Sequence, residues 1–358
     1  MEPLKNIYNK QFLKKLGQAI KTEYINFNEQ KFLDLVVQDN WEELALKERM
    51  RRITISLHKT IPLEYEEVLA CLYKVAPKFT GLLGIVFPDY VEVYGRGYWE
   101  ESIAALEYFT EYSTAEFAVR PYLLLDQTRM LNQMQMWAEN ENEHVRRLAS
   151  EGCRPRLPWG MSIPALKKDP LPILPILEML KADESLYVRK SVANSLNDIS
   201  KTHPDVMIEI AESWHGDNPN TNWIIKHACR TLLKKGDIRA LQIFGYEDSE
   251  GVEITDFICR ENTLTIGESI FFSFQITSAT EKKSRIEYAI DYVKANGKRN
   301  KKVFHLSETV LHQGKKKYYE KIHGFKDLTT RKHYAGIHTL TIFVNGESKA
   351  EVDFEVRK

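Results

Sequence analysis

The sequence predicts a multidomain chain, helical first and β-rich last: an α-solenoid of helical repeats followed by an antiparallel β-sandwich. Three observations predict it. Up to about residue 245, windows such as YWEESIAALEYFTEY and LPILPILEMLKADES carry apolar residues at helical spacing. Beyond residue 250 the chain turns to short alternating runs, including ITDFICRENTLTIGESIFFSFQITSA and HTLTIFVNGESKAEVDFEVRK, bounded by Gly, Asn and Lys. One helical unit also recurs along the first part. With 358 residues and 43% hydrophobic residues, the chain has room for two or three domains with proper cores.

The repeat comes first. EHVRRLASEG at 143–152, LYVRKSVANSLNDIS at 186–200 and NWIIKHACRTLLKKG at 222–236 share one pattern: apolar, one or two basic residues, then small and apolar residues at helical spacing. In the first of these, Val145, Leu148 and Ala149 form the apolar face, with Arg146 and Arg147 turned away. Val145 to Val188 is 43 residues, and Val188 to Ile225 is 37. Each unit follows another helix: LLLDQTRMLNQMQMWAEN, ILPILEMLKADE and VMIEIAESWH. Pro172 and Pro175 sit at helix-start positions. A helix pair at this period is that of HEAT or armadillo repeats, and WEELALKERMRRITISLH at 41–58 reads as a degenerate copy. Residues 1–248 are therefore expected to form a HEAT-like domain whose second helices line a concave face. Such solenoids are mostly binding platforms, so a scaffold is the default reading.

The boundary falls near GYEDSEGVE, at about residue 250. Residues 252–358 hold six to eight short runs of strand character, and VNGE at 344–347 is a tight hairpin signal. An immunoglobulin-like β-sandwich is the expected fold.

Charge divides unevenly. Residues 1–250 carry 31 Lys and Arg against 36 Asp and Glu, residues 251–358 carry 19 against 14, and residues 282–332 carry 15 against 5. The last excess is either a polyanion footprint or a lysine-decorated surface. Cys71, Cys153, Cys229 and Cys259 form no C-x-x-C pair, which argues against a zinc knuckle and a disulfide framework. No apolar run is long enough to span a membrane, and MEPLKNIYNKQFLKKLGQAI lacks the apolar core of a secretory signal. A reducing cytoplasm is the expected compartment.

Three carboxylates stand out because they lie in or just after the inner helices. Glu116 lies in STAEFAVRPYLLL, Glu151 ends VRRLASEG, and Asp198 lies in SVANSLNDIS. Their separations of 35 and 47 residues are each one repeat, so the three can converge side by side; otherwise each is a solvated or capping group. After Glu151 the loop CRPRLPW sets Arg154 and Arg156 between stiffening prolines, with Trp159 at its end. Arginines on a rigid loop suit phosphate, and a tryptophan beside a carboxylate offers a face to a flat or cationic ligand. The alternative is a tight connection with Trp159 plugging the core. A lowered thiol pKa at Cys153, beside those arginines, competes with a simple buried role. His144, His203, His215 and His227 make no metal-binding pair, and neither a P-loop nor a G-x-S-x-G elbow is present.

The runs TAEFAVRPYL, VRRLASEGCRPRLPW and YVRKSVANSLNDISKTHPD resemble the AlkC branch of the AlkC/AlkD family of HEAT-repeat DNA glycosylases. The resemblance covers most of the helical half, and some AlkC members also carry a C-terminal immunoglobulin-like domain. It implies hydrolytic excision of cationic alkylated bases, 3-methyladenine, 3-methylcytosine and 1-methyladenine, from double-stranded DNA. By similarity Glu116, Glu151 and Asp198 match the acidic residues at the lesion, and Trp159 matches an aromatic beside them. Arg154 and Arg156 occupy the matching loop and are assigned to the DNA. Neither a metal nor an organic cofactor is implied. Lys298 and Arg299 in KANGKRNKK, with Lys315 and Lys316 in HQGKKKYYEK, would let the sandwich clasp the duplex. The expected enzyme is a monomer, cytoplasmic and nucleoid-associated during repair. Two other readings stay open: a silent HEAT-repeat DNA-structure binder, and a protein–protein scaffold. Three carboxylates set against a polyanion weigh against the first, and the basic run weighs against the second.

Overall fold

The computed structural model describes residues 2–38, 40–216, 218–328 and 331–358. Helices occupy the chain from Lys10 to Ile243. Eight strands follow: β1 (Val252–Cys259), β2 (Thr263–Thr265), β3 (Ser269–Ser278), β4 (Lys282–Val293), β5 (Arg299–Leu311), β6 (Lys317–Gly324), β7 (Gly336–Val344) and β8 (Glu347–Arg357). Helix gives way to strand between Ile243 and Val252. No described helix is long and apolar enough to cross a membrane.

By contacts the chain forms two compact units, residues 1–202 with 218–227, and residues 203–217 with 228–358. In the first unit the repeat has a physical cause. Asn142 caps the Glu143–Gly152 helix by accepting from the His144 amide, and Ser185 caps the Leu186–Ile199 helix by accepting from the Tyr187 amide. One turn into each helix an arginine reaches back to the preceding loop. Arg146 donates to the carbonyls of Asn140 and Glu141, and Arg189 donates to those of Asp183 and Glu184. Caps and arginines thus recur at one spacing, which is why the Val-Arg pair repeats in the sequence. Val145, Leu148 and Ala149 are buried, as are Val188, Val192 and Ala193. The two helices pack directly, and the Ser150 hydroxyl lies 2.7 Å from that of Ser191.

The second unit holds both sheets. One has the order β1-β3-β6; the other has the order β2-β8-β7-β4-β5. All pairings are antiparallel except β2 with β8, a short parallel edge that the expected antiparallel sandwich did not include. Alternating side chains from Phe272, Phe274 and Ile276, from Ile286 and Ile290, and from Leu340 and Ile342 fill the core. The hairpin at 344–347 turns on Asn345 and Gly346, both with positive φ (48° and 82°). The helices Pro204–Trp214, Arg230–Lys235 and Ile238–Ile243 belong to this unit. They explain why β4 is buried on both faces over Ser284–Ile290. Gly236 (φ 71°) meets Gly346 so closely that a Cβ at Gly346 would stand 2.6 Å from the Gly236 Cα. Lys283 donates to the Phe244 carbonyl, and the Arg285–Glu287 ion pair (2.6 Å) is buried beneath.

An imidazole sits in the same sandwich. His323 lies between the hydroxyls of Tyr288 (3.0 Å) and Tyr292 (2.7 Å). Burial, reinforced by Arg331, His333, Lys302 and Lys321, brings its pKa down to about 4. Burial lowers His333 and His338 as well. The unfolded chain takes up a proton near pH 6.5 and the folded one only near pH 4, so acid favours unfolding across that window. Chemical denaturation of this unit is expected to lose on the order of 2 kcal/mol between pH 7 and pH 4.5, after allowance for partial solvent exposure. His323→Gln should flatten that dependence; an unchanged slope would assign the acid sensitivity elsewhere.

Candidate active site

The three carboxylates converge in the first unit, but not as bare acids. Arg147 donates to Glu116 at 2.8 Å and stands 3.8 Å from Glu151. Arg154 joins Glu151 at 2.5 Å to Asp198 at 2.9 Å. Lys201 closes the row on the other oxygen of Asp198, at 2.9 Å. Acid and base therefore alternate from Glu116 through Arg147, Glu151, Arg154 and Asp198 to Lys201. Three negative charges face three positive ones.

Each acid has its own support. Glu151 closes the last turn of the Glu143–Gly152 helix, and Asp198 that of the Leu186–Ile199 helix. Glu116 lies in a turn ahead of the Arg120–Leu125 helix, not within a helix, and accepts from the Thr114 hydroxyl at 3.0 Å. Their side chains are 12%, 6% and 2% exposed for Glu116, Glu151 and Asp198. Carboxylates this buried need partners, and the guanidinium groups supply them. Burial would lower the pKa of Arg147 and of Arg154. The adjoining acids overcome it and raise both: Glu151 and Glu116 for Arg147, Glu151 and Asp198 for Arg154. Among the described residues, neither Oε1 of Glu116 nor Oε2 of Glu151 takes a hydrogen bond, so each keeps an open acceptor.

Two sequence expectations are corrected here. Arg154 is not an exposed loop arginine: it is 7% exposed, with its Nε donating to Asp198 and its Nη1 to Glu151. Arg147 is not turned away; only Arg146 is, paired with Asp183 at 2.7 Å. The missed signal was spacing, since Arg147 and Glu151 are four apart and share a helix face. Arg156 is half-buried, and its Nε has no partner among the described residues.

The loop after Glu151 is stapled from behind. Buried Arg120 donates to the carbonyls of Gly152 (2.8 Å), Arg154 (3.0 Å) and Met161. Burial brings its pKa down to about 10. Lys47 holds the Trp159 carbonyl at 3.0 Å and lies 4.5 Å from the centre of the Phe117 ring. Between these anchors Trp159 is 63% exposed and has φ of 61°. It does not plug the core. A left-handed tryptophan is strained by about 1–3 kcal/mol and persists only because its surroundings fix it. Cys153 is buried with its thiol pushed up to about 12, so the buried role is the one found.

The basic residues of the sandwich separate into two groups. Lys298 and Arg299 follow the β4–β5 turn, where they line a hollow of about 640 Å³ with Lys294, Arg331 and Lys332. Lys315 and Lys316 lie in the β5–β6 turn, at the other end of β5. Thirteen residues of strand set the groups roughly 40 Å apart. Among the described residues no three His, Cys, Asp or Glu side chains are placed to hold a metal ion. At the acidic row the interleaved arginines occupy that space.

The chain is similar to known proteins over its whole length. Residues 99–232 match the family described as DNA alkylation repair enzyme. Residues 253–358 match the C-terminal Ig-like domain of the uncharacterised protein YhaZ. The uncharacterized protein YhaZ of Bacillus subtilis (strain 168) is 58% identical, over 99% of this chain and 100% of that protein. Among solved structures, the alkylpurine DNA glycosylase AlkC of Pseudomonas fluorescens, bound to DNA containing an abasic site analog, is 42% identical. It superposes with a TM-score of 0.97 over 100% of both chains.

Proposed function

The chain belongs to the AlkC-type DNA alkylation repair enzymes, and from that premise we propose that it is a DNA glycosylase that hydrolyses the N-glycosidic bond of cationic alkylated bases in duplex DNA. The observation that carries the reading is the buried row of three carboxylates, paired with Arg147 and Arg154, with open oxygens on Glu116 and Glu151. N-alkylation makes the base a cationic leaving group, so little proton donation to it is needed. As the bond stretches, positive charge develops on the deoxyribose. Carboxylates already fixed and desolvated stabilise that oxocarbenium-like state without reorganising.

In this mechanism Glu151 and Asp198 supply the field, and the free Oε2 of Glu151 orients or deprotonates the attacking water. Glu116 supports them from the outer end of the row. Trp159, held out by Lys47, offers its face to the lesion. The enzyme acts as a monomer on 3-methyladenine, 3-methylcytosine and 1-methyladenine, with no metal or organic cofactor. Incubation with methylated duplex DNA, followed by chromatography of the freed bases, tests the reading. Release of any of these bases supports it. Tight binding with no release of any base would make the chain a silent DNA binder.

The hollow at Lys298 and Arg299 contributes phosphate contacts in the same proposal. Charge reversal of both residues is expected to weaken duplex binding about tenfold near 0.1 M salt and to lower the log–log salt slope by about 2. Reversal of Lys315 and Lys316, at the other end, should do less. No effect from reversing Lys298 and Arg299 would remove the hollow from the DNA path.

A further inference from the structure

Resting on that reading of the site, we propose that Lys201 is a placeholder cation: it neutralises Asp198 in the free protein and yields its place to the positive charge of the substrate. Asp198 is the most buried acid of the row, and both its oxygens are taken. Oδ2 accepts from Arg154 and Oδ1 from Lys201, each at 2.9 Å. The Asp198 side chain is only 2% exposed beneath these partners, so a substrate cation comes into contact with it when one of them moves aside.

The two differ in how firmly they are held. The Arg154 side chain is 9% exposed, bridges to Glu151, and has its own carbonyl pinned by Arg120. The Lys201 side chain is 42% exposed. It stands two residues past the end of the Leu186–Ile199 helix, and Asp198 is its only hydrogen-bond partner among the described residues. A half-exposed lysine pair of this kind is weak and easily exchanged. Arg154 is shared with Glu151, so without Lys201 two buried carboxylates divide one guanidinium at hydrogen-bond distance, which is costly. One cation replacing another preserves the pairing; a neutral group in the same place breaks it.

Two consequences follow for the site. With Lys201 in place the row of three acids is neutral, so the phosphate backbone of undamaged DNA meets no net repulsion there. A substrate cation at Asp198 frees the ammonium, which is then available to a phosphate oxygen. Lys201 acts through Asp198 and is a positioning residue rather than a catalytic one.

The test compares affinities for two duplexes, one with a pyrrolidine abasic analogue that is protonated at neutral pH, the other with the neutral tetrahydrofuran analogue. Wild type should prefer the cation. Lys201→Met should raise that preference by about three- to fivefold, because Asp198 then awaits the cation with no pair to break. Lys201→Arg should return it to the wild-type value or below. If Lys201→Met weakens both duplexes equally, Lys201 is only a phosphate contact; if the preference falls, it supports Asp198 instead of standing in for substrate. Either result overturns the proposal. A wild type with no preference for the cation would instead sink the electrostatic reading of the whole site.

Discussion

Replacing Asp198 by Asn or Glu151 by Gln is expected to lower single-turnover base release by about 10²–10³, with duplex affinity within about threefold of wild type. Each amide keeps the size of the acid and removes its charge. In the proposed mechanism the transition state uses that charge: Asp198 and Glu151 are desolvated (2% and 6% exposed) and both are paired with Arg154. Glu116→Gln should cost less, since Glu116 is more exposed and ends the row. Melting temperatures of the same samples separate lost chemistry from lost fold. Full activity in Asp198→Asn would reduce that carboxylate to a structural partner of Arg154.

Arg154→Met is expected to destabilise the first unit by about 3–5 kcal/mol, the largest stability effect of any single change at the site. The guanidinium holds Glu151 at 2.5 Å and Asp198 at 2.9 Å. Without it two buried carboxylates lose their shared counter-charge and repel each other. The cycle with Glu151→Gln and Asp198→Asn isolates this term. Removing both acids from the Arg154→Met protein should restore part of the lost stability. If the triple variant is the least stable of all, ordinary packing of the arginine stem explains the loss and the charge argument fails. Arg147→Met should cost less, because both it and Glu116 are partly exposed.

Much of this was legible in the sequence. The repeat followed from Val145 and Val188, and the structure adds that Asn142 and Ser185, Arg146 and Arg189 recur with them. One-repeat spacing placed Glu116, Glu151 and Asp198 together, and GYEDSEGVE marked the change from helix to strand. What was not legible depends on the third dimension. Prolines around Arg154 suggested a stiff exposed loop, yet the three residues from Glu151 to Arg154 fold the guanidinium back under the helix end. The exposure of Trp159 comes from a positive φ that no sequence pattern announces. The last helices group with the sandwich through contacts such as that of Gly236 with Gly346, residues 110 apart. The basic hollow likewise joins Lys294 and Arg299 to Arg331 and Lys332, which only the strand topology brings together.

In the proposed mechanism the acidic row works on leaving groups that already carry positive charge. Single-turnover release should therefore be compared on matched duplexes holding a cationic lesion, 3-methyladenine or 3-methylcytosine, or a neutral one, hypoxanthine or uracil. The cationic bases should be released rapidly and the neutral ones not at all, since the three carboxylates offer a field and a water acceptor but no proton for the departing base. Release of hypoxanthine or uracil at a comparable rate would contradict this mechanism, because a neutral base leaves as an anion that needs a proton or a hydrogen-bond donor, not a field of carboxylates.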